Sequence, residues 1–100
     1  MQSLNAQTIT NEISTHIRKQ GSNLSSWYVG ITKDIDQRLF GDHNVPKDNH
    51  WRAHRIAISS NDARAAEKAL INWGCDGGTG GGDNSAVFVY AYLKSPITNP

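Results

Sequence analysis

Residues 86–93 read Ala-Val-Phe-Val-Tyr-Ala-Tyr-Leu, the strongest strand pattern in the chain. Phe88, Tyr90 and Tyr92 fall on one face, and Val87, Val89, Ala91 and Leu93 on the other. A strand is stable only when paired, so the rest of the chain must supply a sheet. Two segments qualify. Residues 27–31 set Tyr28 and Gly30 against Trp27, Val29 and Ile31, and residues 53–59 alternate His54, Ile56 and Ile58 with Arg55 and Ala57.

Three helical patterns separate these strands. Ile9, Ile13 and Ile17 recur at four-residue steps, an amphipathic helix of roughly three turns closed by Gly21. Asp34 is a good N-cap, and Gln37 three residues later completes a capping-box-like pair. In the helix that follows, Ile35, Arg38, Leu39 and His43 share one face. A third helix is predicted over 63–73, capped by Asn61 or Asp62 and ended by Gly74, with Ala63, Ala66, Leu70 and Trp73 as its apolar stripe. The order α-β-α-β-α-β predicts a single α/β (α+β) domain over residues 1–100. Its small antiparallel or mixed sheet has about three strands, flanked by helices.

Composition narrows the function classes. One hundred residues suffice for one modest core. Ten Lys and Arg against nine acidic residues leave a net charge of +1, too little for tight non-specific binding to nucleic acid through phosphates alone. No apolar run approaches a membrane span, and the N-terminus lacks a signal-peptide layout, so the expected location is cytoplasmic. The single cysteine, Cys75, forms no internal disulfide and reads as a structural thiol. The glycine run 77–82 follows a helix and opens a strand, the reverse of a phosphate loop, and reads as a flexible loop. His50 and His54 bracket a strand start, with no glutamate between them to suit a zinc site.

Chemistry concentrates in the segment Tyr28-Val29-Gly30-Ile31-Thr32, followed by Asp34, Ile35, Arg38, Leu39 and His43. A strand tyrosine is followed there by a helix arginine. Downstream, Glu67 lies within Ala-Glu-Lys-Ala-Leu-Ile on the third helix. This arrangement, over roughly residues 27–71, resembles the GIY-YIG nucleases. The resemblance implies an endonuclease that hydrolyses phosphodiester bonds in DNA with Mg2+ or Mn2+. Glu67 would hold the cation, Arg38 the scissile phosphate, and Tyr28 the attacking water, with His43 contacting a phosphate or fixing a tyrosine. The family's first tripeptide is absent ahead of Trp27. The last strand is its expected replacement, in a circularly permuted order, with Tyr90 or Tyr92 as the first tyrosine. The late asparagine of the family falls to Asn72 or Asn84.

Trp51, Arg52 and Arg55, in or beside the loop 45–55, form the expected substrate-contacting surface, joined by Asn84. The alternative is a catalytically inactive module on the same scaffold that binds nucleic acid or a protein. Partners expected on either reading are nucleic acid, a protein or a second copy of the chain.

Overall fold

The computed structural model describes residues 3–19, 23–43, 52–77 and 86–94, with the side chains of Arg38 and Asp42 outside that description. Its elements are α1 (Ala6–Lys19), a 3-10 turn (Leu24–Ser26), β1 (Trp27–Thr32), a π-helical segment (Gln37–Asp42), β2 (Arg52–Ile56), α2 (Ser60–Asn72), β3 (Asp76–Gly77) and β4 (Phe88–Leu93). Gly21, the expected stop of α1, lies outside the described residues. No helix among them is long and apolar enough to cross a membrane.

The sheet runs β2-β4-β1-β3, so the last strand in sequence is an inner strand in space. β4 is antiparallel to both neighbours, with Tyr92 opposite Tyr28 and Arg52, and Tyr90 opposite Gly30 and His54. Opposed residues share a face, so the period-two patterns of β1, β2 and β4 combine into two coherent surfaces. On one lie Trp27, Val29, Ile31, Val89 and Ala91, packed with Ile9, Ile13 and Ile17 of α1 and with Ala63, Ala66 and Leu70 of α2. On the other, Tyr90 and Tyr92 pack with Leu39, and Tyr28, Ile35 and Phe40 lean against them.

The sheet is mixed, and it has one strand more than expected. β3 pairs in parallel with Tyr28 and Val29 of β1 through Asp76 and Gly77. Two residues leave no alternation to recognise. Gly77 makes the pairing possible: a Cβ there would come within 2.8 Å of the Val29 carbonyl and 2.9 Å of Ile71 Cδ1.

Three boundaries differ from the sequence reading. The N-cap of α2 is Ser59, not Asn61 or Asp62, and its hydroxyl accepts from the Asp62 amide at 3.1 Å. Trp73 stands 48% exposed, not on the buried stripe, with the Arg18 guanidinium 6.0 Å over its ring. Ile58 lies past the end of β2 and is exposed. Just beyond β2, Leu4 forms a parallel bridge to Ala57, donating to the Ile56 carbonyl and accepting from the Ile58 amide, while the Ala57 amide donates to the Val87 carbonyl.

Candidate functional site

Tyr28, His43, Tyr90 and Tyr92 meet on the face of the sheet opposite α1 and α2. The residue that permits the meeting is Gly30. Tyr90 lies directly across from it, and the tyrosine ring folds over the glycine. A Cβ at position 30 would sit 2.6 Å from Tyr90 Cζ, closer than any side chain tolerates. A glycine inside a strand marks such a close approach, which was the one signal in the sequence for this contact.

Tyr90 and Tyr92 converge on His43. The Tyr90 hydroxyl is 2.7 Å from Nε2, and the Tyr92 hydroxyl is 3.1 Å from Nδ1. Each hydroxyl thus engages one ring nitrogen, and the imidazole tautomer sets which of them donates. All three side chains are buried, at 6% exposure for His43, 2% for Tyr90 and none for Tyr92. Tyr28 is half-buried, its ring centroid 5.0 Å from His43 and 5.5 Å from Tyr92. Burial drives the Tyr92 hydroxyl well above the usual phenol range, with Tyr28 and Asp76 adding to the effect. Tyr92 therefore remains a phenol at any physiological pH.

The π-helical segment brings His43 to this point. Asp34 caps it as expected, its Oδ1 accepting from the Gln37 amide at 3.1 Å. Thr32 Oγ1 fixes the preceding turn by accepting from the Asp34 amide and donating to the Asp34 carbonyl. The wider turn of i→i+5 bonding keeps positions four apart on one side, so Leu39 and His43 are both buried against the tyrosines.

The other predicted residues distribute unevenly. The backbone of Arg38 lies in the π-helical segment, and its side chain, like all of Trp51 and Asn84, falls outside the described residues. Asn72 is exposed at the end of α2. Arg52 shares the tyrosine face, its guanidinium 5.1 Å over the Phe40 ring. Arg55 does not join it. Opposite Val89, it turns to the other face and pairs with Glu12 of α1 at 2.7 Å, so the expected Arg52–Arg55 surface is split by strand alternation. Burial and the neighbouring Arg55 lower the pKa of His54, against a raising effect of Asp36.

Glu67 sits on α2, whose buried stripe packs on the face away from the tyrosines. It is 7% exposed, and burial pushes its carboxyl up to about 7, with Arg64 acting in the opposite direction. The sheet lies between this carboxyl and Tyr28, so the structure does not bring Glu67 together with the tyrosines as the resemblance implies. Among the described residues no group of three His, Cys, Asp or Glu side chains is placed to hold a metal. Cys75 is buried and its thiol is raised to about 11, as befits a structural cysteine.

Comparison with protein-family models, curated proteins and solved structures gave no match to this chain.

Proposed function

We propose that this chain is a GIY-YIG-type endonuclease that hydrolyses phosphodiester bonds in DNA, with β4 taking the place of the family's first strand. The observation that carries the reading is the antiparallel β4–β1 pair, which sets Tyr92 across from Tyr28 and Tyr90 across from Gly30, with His43 joining both β4 tyrosines. The end of β4 also meets the start of β1, where the Lys94 amide donates to the Ser26 carbonyl at 2.9 Å. The two strands thus have the geometry of a hairpin although the chain visits them in reverse order. In a rotated order that starts with β4, α1 becomes the connection between them.

On this reading Tyr28, the most open of the tyrosines, orients or deprotonates the attacking water. Arg38 holds the scissile phosphate in its planar donor fork, and Arg52 contacts the strand beyond it. His43 holds the β4 tyrosines in place. Glu67, across the sheet from Tyr28, is not placed to hold a Mg2+ or Mn2+ beside the phosphate. With few phosphate contacts of its own, the protein gains affinity from a protein partner or a second copy, and it works in the cytoplasm.

Burial of Tyr90 and Tyr92 favours a second reading, a non-catalytic module in which the same cluster braces a binding surface. Cleavage of plasmid and oligonucleotide DNA in Mg2+, Mn2+ and EDTA separates the two. Metal-dependent nicking that Tyr28→Phe and Arg38→Ala each abolish supports the enzyme. A folded wild type that cuts no duplex, branched or single-stranded substrate, yet binds one of them, supports the module.

A further inference from the structure

On the far side of the sheet from the tyrosines, α1 and β2 border an open surface pocket of about 330 Å³ lined by Asn11, Glu12, Thr15, His16, Lys19 and Arg55. We propose that this pocket binds a phosphate monoester, with Arg55 and Lys19 as the anion-holding groups and His16 beside them. The proposal is independent of the nuclease reading, because none of these residues belongs to the tyrosine face.

Charge decides the class of ligand. The lining carries two permanent cations and one carboxylate, and Thr15 and Asn11 add neutral donors. Arg55 is held rigidly at the pocket edge: its Nε donates to Glu12 Oε1 at 2.7 Å and its Nη1 to the His54 carbonyl at 2.7 Å. Among the described residues, Nη2 carries no such bond and, with Lys19, supplies the charge-assisted donors a phosphoryl group requires. His16 reports the sign of the local field. Burial lowers its pKa first, and the charges of Arg55 and Lys19 lower it further. Its ring is set edge-on to Trp27 at 5.9 Å, and its buried Nε2 has no hydrogen-bond partner among the described residues. Volume decides the size. Pockets for small organic ligands begin at roughly 300 Å³, so the space admits a phosphate together with the group it esterifies.

The test follows the His16 ring protons by NMR during titration with inorganic phosphate, adenosine 5′-monophosphate and adenosine. The proposal expects saturable shifts with the two phosphates and none with adenosine, and a rise in the His16 pKa on phosphate binding. Lys19→Ala and Arg55→Ala should weaken phosphate binding at least several-fold. Glu12→Gln should tighten it several-fold, because it removes the carboxylate that competes for Arg55; a merely loosened fold would not gain affinity. Lys33→Ala, at an exposed position after β1, should change nothing. Absence of a saturable shift at millimolar phosphate overturns the proposal. So does a shift that survives both cation deletions, or an equal response to adenosine.

Discussion

Gly30 and Glu67 both sit in confined surroundings. At Gly30 the ring of Tyr90 occupies the space a side chain would fill, and that overlap lets the tyrosine hydroxyl reach His43. Gly30→Ala must displace the ring, so it should cost about 1–3 kcal/mol in urea unfolding. In a Tyr90→Ala background the same substitution should cost markedly less, since the obstacle is gone; an unchanged penalty would assign the cost to the backbone instead. Glu67 makes a prediction about pH. Its folded-state value of about 7 lies above the ordinary 4.5, so between those values the folded protein holds more protons than the unfolded one. Stability should be full below pH 4.5, fall as pH rises to about 7 and level off above it, by roughly 3–4 kcal/mol at most. Glu67→Gln should remove that slope and be more stable than wild type at pH 8.

At the scale of elements, the two long helices share one acidic residue at their starts. Asp62 Oδ2 accepts from the Ala6 amide in the first turn of α1 at 2.9 Å, while Oδ1 accepts from the Ser59 hydroxyl at 3.1 Å. Its negative charge also lies in the first turn of α2, where the helix dipole favours it. Asp62→Ala should therefore uncouple both helix starts and cost about 1–2 kcal/mol, with Asp62→Asn, which keeps one acceptor oxygen, in between. Denaturant midpoints of the three proteins should fall in that order, and equal loss for both variants would contradict the shared cap. The π-helical segment is the other element with a specific task. It presents Leu39 and His43 together to the sheet, and this pairing completes the small second core.

For the whole molecule, chain order and spatial order disagree in one informative place. β4 ends the described chain, yet it lies between β1 and β2 and pairs along its full length with β1. β3 and β4 are not neighbours in the sheet order β2-β4-β1-β3. A permuted chain opened within residues 78–85, with residue 100 joined to residue 1 through a glycine-serine linker, should retain the fold and melt cooperatively within a few degrees of the natural order. Circular dichroism and thermal unfolding provide the check, and loss of the cooperative transition would show that the order of synthesis matters to the final sheet.

Strand alternation and helix periodicity in the sequence determined which residues face which core. The faces assigned to β1 and β4 are those of the structure, as are the isoleucine stripe of α1 and the caging of Ala63, Ala66 and Leu70. These follow from local geometry, which repeats every two or every three to four residues and needs no knowledge of the partner. What the tertiary structure alone decided was pairing. Local pattern carries no information on which strand lies beside which, so the inner position of β4, the crossing of Tyr90 over Gly30 and the double hydrogen bond to His43 appear only once the sheet is assembled. The same limit separated Arg52 from Arg55. They are neighbours in sequence, and the pleat sends them to opposite faces, one toward the aromatic cluster and the other to a salt bridge with Glu12.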